Sequence, residues 1–317
     1  MRRRLWAVVW LAVTIGFGAY AVRGVDLAEM RVAIAQAEKA WLAASLGVLA
    51  VAIALRGLRW QYLFPTPGRP SLRAVSIALL IGYFFNNVLP ARAGEAARVL
   101  ALARLAPVSR ATAAGTVLVE RVYDLLVVAL FLLLLVPWLP DISWLPEALA
   151  LLALLVVALA VLALALHRFG DRPARLLLWP LRRFSPLSPA RVDLAASNLT
   201  SAFTTARSPR SAAIASILTV LSWLLVGCSF WLAMPAFDLG LPLGAGFLVA
   251  IATALSGVIP SGPAGIGVFE AATVVALSAY GVEGSEALTY ALVLHALNFL
   301  PFIAAGGVAL QLSARSG

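Results

Sequence analysis

Long apolar runs separated by short polar connections dominate the pattern of this chain. Eight runs occur, at residues 5–22, 41–63, 74–89, 112–136, 148–167, 211–234, 245–259 and 286–312. A helix of about 20 apolar residues crosses a hydrocarbon core of roughly 30 Å. The third and seventh runs hold 16 and 15 residues, and as helices they reach only about 22 to 24 Å. The pattern predicts an all-α polytopic membrane protein in which two apolar segments are short.

Each short run ends in a cassette that interrupts a helix at membrane depth. The cassettes read NNVLPARAGEAAR from Asn86 and SGVIPSGPAGIG from Ser256, and their first prolines, Pro90 and Pro260, lie 170 residues apart. Proline and glycine leave backbone groups unpaired, which hydrocarbon tolerates only where the chain is buried in protein or lines a polar cavity. Broken segments in corresponding places of two halves are typical of a transporter binding site. The other residues that we assign to the breaks are Gly94, Pro263, Gly265 and Gly267.

A second, modest helical stretch follows each break, so each segment predicts a helix that enters the membrane and returns on the same side. We therefore predict six full spans plus two re-entrant helical hairpins, 74–105 and 245–281, in a single transmembrane domain of residues 1–317. Each half contains three full crossings, and because three is odd the second half, 141–317, is inverted relative to the first, 1–140. Eight ordinary spans with kinks are the alternative, since both arrangements place the chain ends identically.

Charge between the runs predicts the orientation. Three arginines precede the first run, and eight arginines lie between residues 168 and 210, whereas the acidic connections 137–147, 235–244 and 282–286 contain no lysine or arginine. Basic connections stay in the cytoplasm, so we expect both termini there and count Arg56 and Arg59 among the cytoplasmic charges of the second connection. We read the first run as an uncleaved span. Residues 171–209 are either an amphipathic helix on the cytoplasmic lipid surface or a solvated linker.

Composition excludes several classes of protein. The chain is 62% hydrophobic and 12% charged, with a mean hydropathy of +0.97, which rules out a soluble globule. The net charge of +10 does not predict nucleic-acid binding, because the basic residues form no stripe with interleaved aromatic residues. One cysteine, Cys228, and two histidines 128 residues apart predict no metal site. We expect no cofactor.

Ionisable side chains within the apolar runs are the candidates for function, because each costs about 2.5 to 3.5 kcal/mol at membrane depth. They cluster at the first break, in the fourth run and at the second break. The predicted substrate-binding residues are Asn86, Asn87, Arg92, Glu95 and Arg98, then Glu120, Arg121 and Asp124, then Ser261 and Glu270. His295 and Asn298 lie on the last run.

These residue types suit a polar lipid headgroup. A half-helix N-terminus offers free N–H groups to a phosphate, and Arg92 and Arg98 would add charge-assisted hydrogen bonds. The carboxylates would hold an amine or carry a coupling proton. Alternatively, Glu120, Arg121 and Asp124 are structural ion pairs, with Arg121 locked to Asp124 one turn away on the same helix. We read His295 as a core residue whose polar atoms are satisfied.

The segments GYFFNNVLPARAGEAARVLAL, TVLVERVYDLL and SGVIPSGPAGIGVFEAA, in that order, resemble the lysylphosphatidylglycerol synthase transmembrane-region family, also called flippase-like domain proteins. The resemblance covers essentially the whole chain and implies a lipid-translocating membrane domain. In fused members this domain moves aminoacylated phosphatidylglycerol between leaflets, while a separate cytosolic domain performs aminoacyl transfer. The residues at the family's motif positions are Asn87, Pro90, Arg92, Gly94, Glu95, Arg98, Glu120, Arg121, Asp124, Pro260, Pro263, Gly265, Gly267 and Glu270.

We therefore expect a stand-alone lipid flippase or headgroup transporter of the bacterial cytoplasmic (inner) membrane, with membrane lipids as its partners and no synthase domain. One alternative is an integral-membrane enzyme that acts on lipid headgroups with Glu120 or Asp124 as a base beside Arg92. Another is an accessory subunit for a cell-envelope or lipid synthase. An enzyme requires a nucleophile or metal near the carboxylates, and the sequence places neither there, so we expect no enzymatic activity.

Overall fold

The computed structural model of the protein describes residues 27–66, 68–89, 93–140, 145–169, 209–257 and 262–315, together with Ile142, Arg172 and Ile259. Within these residues there are ten α-helices and no strand. The helices are α1 (Leu27–Gln36), α2 (Lys39–Tyr62), α3 (Leu72–Val88), α4 (Gly94–Leu105), α5 (Arg110–Leu135), α6 (Leu145–Phe169), α7 (Pro209–Leu232), α8 (Leu243–Ser256), α9 (Val268–Ser278) and α10 (Gly284–Arg315). Short 3-10 helices occur at Val136–Trp138, Pro235–Phe237 and Pro263–Gly265.

The most extensive contact between helices joins α2 and α7. Ser45, near the start of α2, donates from Oγ to the Ser229 carbonyl oxygen near the end of α7, and Ser229 Oγ donates to the Ser45 carbonyl oxygen, both at 2.8 Å. Towards the other end of the pair, Arg59 of α2 donates to Thr219 of α7 at 3.4 Å. The two helices therefore run in opposite directions through the middle of the bundle.

Helices α3 and α4 fold back on each other as an antiparallel hairpin. Gly82 faces Arg98, and Gly94 faces Asn86, so residue numbers fall along one helix as they rise along the other. The backbones approach so closely that a Cβ on Gly94 would overlap the carbonyl oxygen of Gly82. Glycine is required at this crossing because it alone has no Cβ.

Helices α8 and α9 form a second antiparallel hairpin. Gly244, in the first turn of α8, lies beside Tyr280, which follows α9, and a Cβ on Gly244 would be 3.3 Å from the Tyr280 hydroxyl. Between the two helices the chain makes the 3-10 turn Pro263–Gly265. Gly265 and Gly267 have φ angles of 76° and 84°, which glycine adopts without steric cost.

The two hairpins open towards opposite ends of the bundle. One core cluster joins the C-terminal ends of α2 and α4 to the N-terminal ends of α3, α5 and α7. Another joins the N-terminal ends of α2, α8 and α10 to the C-terminal ends of α5, α7 and α9. The turn Pro263–Gly265 contacts α3, so the break of the second hairpin lies against the first hairpin.

Helix lengths match the distinction between long and short runs. Three described helices are long and apolar enough to cross a membrane, namely Lys39–Tyr62, Pro209–Phe237 and Gly284–Ala314. Helix α5 has 26 residues, a sufficient length, but carries three charged side chains near its middle. Helices α3 and α8 have only 17 and 14 residues.

The described helices confirm the all-helical prediction at seven of the eight apolar runs. The first run, 5–22, lies outside the described residues, as does almost all of the predicted amphipathic segment 171–209. The number of full spans, the boundary between repeats near residue 140 and the inverted relation of the two halves stay predictions.

Neighbouring glycines on α10 test its contact with α3. A Cβ on Gly306 would lie 2.6 Å from both the Leu80 carbonyl oxygen and Phe84 Cβ, whereas one on Gly307 would meet nothing within 4 Å. We expect Gly306→Ala to lower the free energy of unfolding in mixed micelles by about 1 to 3 kcal/mol. Gly307→Ala should leave it unchanged or raise it by about 0.5 to 1 kcal/mol. Equal losses in both variants would contradict this contact.

Candidate functional site: a buried charge cluster beside the first hairpin

Six charged residues from three helices form one ion-pair network, which we call the charge cluster. Its members are Arg59 of α2, Glu95 and Arg98 of α4, and Glu120, Arg121 and Asp124 of α5. Three positive charges therefore face three negative charges. Four of these side chains are almost completely buried, and Arg121 and Glu95 form the accessible edge.

Arg59 lies at the centre of the charge cluster. Its guanidinium donates to both oxygens of Asp124, and its Nη2 lies 3.2 Å from Glu120 Oε1. The side chain is fully buried. The sequence prediction that Arg59 is a cytoplasmic charge of the second connection is wrong, because α2 continues to Tyr62 and directs Arg59 into the bundle.

Glu120 joins the hairpin to the long helices. Its carboxylate accepts hydrogen bonds from both Nη atoms of Arg98 at 3.2 Å and from Arg121 at 2.6 Å. Arg98 is buried and its guanidinium lies 4.9 Å above the Trp60 ring. Glu120 thus contacts arginines from α2, α4 and α5, and together with Asp124 and Glu95 it balances their charge, which a buried position requires of Arg59 and Arg98.

Arg121 lies at the edge of the charge cluster, with 45% of its side chain exposed. It lies 3.5 Å from Asp124 and 3.6 Å from Glu95, whose side chain is 28% exposed. The expected pairing of Arg121 with Asp124 is present, but the fully buried partner of Asp124 is Arg59. The spacing of three residues brings Arg121 and Asp124 to within 3.5 Å of each other, at the exposed edge of the charge cluster.

Tryptophans hold the cluster in place. Trp223 of α7 donates from Nε1 to Asp124 Oδ1 at 3.0 Å, and Trp60 of α2 donates to the Thr116 hydroxyl at 3.0 Å. A buried carboxylate with fixed donors keeps one orientation. Trp60, Trp223 and Arg59 were not among the predicted site residues. One sequence feature could have indicated Arg59 and Trp60. This arginine and tryptophan stand next to each other inside the second apolar run, where each polar group needs a partner within the protein.

A second polar pair joins α9 to α10. Glu270 accepts the Gly267 N–H on Oε2 at 2.7 Å and contacts His295 Nδ1 through Oε1 at 2.6 Å. The His295 ring stacks on Phe269 with a centroid separation of 4.5 Å. Glu270 therefore caps the start of α9, whereas α4 starts without a side-chain cap. The described contacts agree with the interpretation of His295 as a satisfied core residue.

The remaining predicted residues divide into described and undescribed positions. Asn86 and Asn87 are half-buried in the last turns of α3, and Asn86 Oδ1 is buried with no hydrogen-bond donor among the described residues. Pro263, Gly265 and Gly267 lie in the second break, and Gly94 begins α4. The predicted residues outside the described part of the chain are Pro90, Arg92, Pro260 and Ser261. None of the predicted binding roles is tested by these positions.

Comparison with known proteins identifies the family of this chain. Residues 7–306 match the family described as the lysylphosphatidylglycerol synthase TM region. The chain is also 29% identical over 296 residues to a UPF0104 membrane protein of Methanothermobacter thermautotrophicus, a match that covers 90% of this chain and 85% of that protein. The protein is thus a multi-pass membrane protein, and it belongs to the lysylphosphatidylglycerol synthase transmembrane-region family.

Proposed function

We propose that the protein is a stand-alone flippase or transporter that moves a polar phospholipid between the leaflets through a midplane cavity bounded by the two hairpins. The observation that carries the proposal is the open edge of the charge cluster. Arg121 is a half-exposed arginine in an apolar helix, beside the uncapped N-terminus of α4 and the partly exposed Glu95. A phosphate would find there both a guanidinium and the backbone N–H groups of the first turn of α4.

The buried part of the charge cluster has a different role in this proposal. Arg59 and Arg98 pair with Glu120 and Asp124, so the two buried carboxylates keep a positive partner while Arg121 exchanges Glu95 for a substrate. Glu95 is the partner to be displaced, because at 3.6 Å it is the most distant carboxylate paired with Arg121 and it retains Arg98 at 2.6 Å.

We propose six full spans and two re-entrant hairpins in inverted halves. The antiparallel α2–α7 pair supports an axis between the halves, because these are the second helices of each predicted repeat. In each half the returning helix of the hairpin is paired with the next long helix, by Arg98 with Glu120 and by Glu270 with His295. The opposite openings of the hairpins also favour inversion over eight kinked spans.

Orientation and partners follow from the same proposal. Both termini lie in the cytoplasm in a bacterial inner membrane, because the arginine-rich connections stay on that side. The substrate is a membrane lipid, and the protein performs no chemistry on it. A cell-envelope or lipid synthase that makes this lipid is the partner that such a transporter would serve.

Reconstituted vesicles test the proposal. Vesicles that contain fluorescent phosphatidylglycerol and the wild-type protein should lose nearly all fluorescence on addition of dithionite. Vesicles with the same lipid but no protein should lose only the fluorescence of the outer leaflet. Arg121→Gln should fold normally, because Arg59 and Arg98 remain, but slow the protein-dependent phase. Arg110→Gln is the matched control, since Arg110 is exposed at the first turn of the same helix. Wild-type rates in Arg121→Gln, or equal bleaching with and without protein, would contradict the proposal.

A further inference from the structure

Arg56 differs from the arginines of the charge cluster because it has no acidic partner. It lies in α2 one turn before Arg59, is half-buried, and places its guanidinium 5.0 Å from the centre of the Trp223 ring. Among the described residues no carboxylate lies within ion-pair distance of Arg56, and its buried Nε has no hydrogen-bond acceptor. Within the described part of the chain it is therefore a cation held on an aromatic face, with no acceptor for its Nε and no carboxylate partner.

The charge balance around Arg56 is positive. The charge cluster itself contains three arginines and three carboxylates, and Arg56 lies within electrostatic range of one of them, Asp124. Asp124 is already occupied by Arg59 and by the Trp223 indole. Among the residues that the structure describes, adding Arg56 to the balanced cluster leaves one positive charge without a carboxylate partner, and such a charge in an apolar helix favours a bound anion.

The surroundings of Arg56 favour a lipid as the source of that anion. Arg56 is six residues from the C-terminal end of α2, about 9 Å along the helix axis, and α2 is long and apolar enough to cross a membrane, so lipid is the medium around its outer face. On α7, Leu221 and Leu224 flank Trp223 and are exposed. They offer an apolar surface to an acyl chain next to the guanidinium.

We propose that Arg56 and Trp223 form a binding site for the phosphate of an anionic lipid headgroup at the contact between α2 and α7. The planar guanidinium matches two phosphate oxygens, and Trp223 fixes its plane because the indole is itself held by Asp124 at 3.0 Å. The inference rests on the proposed function in taking a membrane lipid, rather than a dissolved ion, as the ligand. The site lies on the α7 side of Arg59, whereas Arg121 lies on the hairpin side.

Lipid-dependent thermal stability in an uncharged detergent tests the site. Short-chain phosphatidylglycerol should raise the unfolding temperature of the wild-type protein, while short-chain phosphatidylcholine should have a smaller effect and inorganic phosphate none at equal concentration. In Arg56→Gln the apparent affinity for phosphatidylglycerol should fall roughly tenfold, the usual loss for one charged hydrogen-bonded contact. Arg104→Gln, on the exposed side of α4, should bind as the wild type does.

Arg56→Lys keeps the test decisive if Arg56→Gln fails to fold. Lysine retains the charge but loses the planar fork, so we expect intermediate affinity. Wild-type affinity in either Arg56 variant would overturn the site, equal stabilisation by phosphatidylcholine would overturn the anionic headgroup, and equal stabilisation by inorganic phosphate would overturn the lipid. Binding through Arg56 without lipid movement in vesicles would reject the proposed function alone.

Discussion

Arg59→Met should cause the largest loss of stability of any single arginine substitution in this protein. Arg59 is fully buried and pairs with both Asp124 and Glu120, so its removal leaves the charge cluster with one uncompensated negative charge and takes from Asp124 its buried cationic partner. Breaking one side of a buried ion pair costs about 3 to 5 kcal/mol. We expect a loss of that order in the free energy of unfolding, measured by denaturation with dodecyl sulfate in mixed micelles.

Two further variants separate the charge effect from packing. Arg73→Met changes an exposed arginine in the first turn of α3 and should be close to neutral. Arg59→Met combined with Asp124→Asn should recover part of the loss, because one stranded charge is removed while an amide oxygen still accepts from Trp223. A double variant no more stable than Arg59→Met would show that the pairing with Asp124 is not what Arg59 contributes.

Gly94→Ala should open the first hairpin. The added Cβ would overlap the Gly82 carbonyl oxygen and lie 2.5 Å from Asn86 Oδ1. A backbone oxygen cannot move aside as a flexible side chain does, so we expect a loss near the upper end of overpacking effects, about 3 kcal/mol. The loss should be measured as the free energy of unfolding by denaturation with dodecyl sulfate in mixed micelles.

Gly47→Ala provides the matched control for the hairpin. Gly47 lies within α2, and a Cβ there would meet nothing within 4 Å, so alanine should stabilise the helix slightly. Its free energy of unfolding in mixed micelles should therefore equal or slightly exceed that of the wild type. If Gly94→Ala and Gly47→Ala behaved alike, the close approach of α3 and α4 would be contradicted.

Apolar periodicity and break residues were sufficient to predict most of the helices. The return helix Gly94–Leu105 follows from a glycine after a proline cassette, and the short length of the third run predicts that it cannot span alone. The pairing of Arg121 with Asp124 follows from their spacing on one helix. Each of these predictions depends on local geometry, which a single sequence records directly.

The partners of Glu120 and Asp124 were harder to predict, because they come from other helices. Arg59 is 61 residues before Glu120 in the sequence and was read as an orienting charge near a helix end. Its burial depends on the packing of α2 against α5 and α7, which local spacing does not reveal. The contact of Trp223 with Asp124 could not be predicted for the same reason, because the two residues are 99 positions apart in the sequence.

Site-specific photo-crosslinking tests most directly whether a lipid headgroup reaches the charge cluster. A phosphatidylglycerol analogue with a diazirine on the headgroup should label the segment 93–121, and unlabelled phosphatidylglycerol should compete. An analogue with the diazirine at the end of an acyl chain should instead label exposed apolar faces such as Leu130 and Leu133 of α5. Headgroup and acyl-chain probes that label the same outer faces, with no competed labelling beside Arg121, would contradict the account.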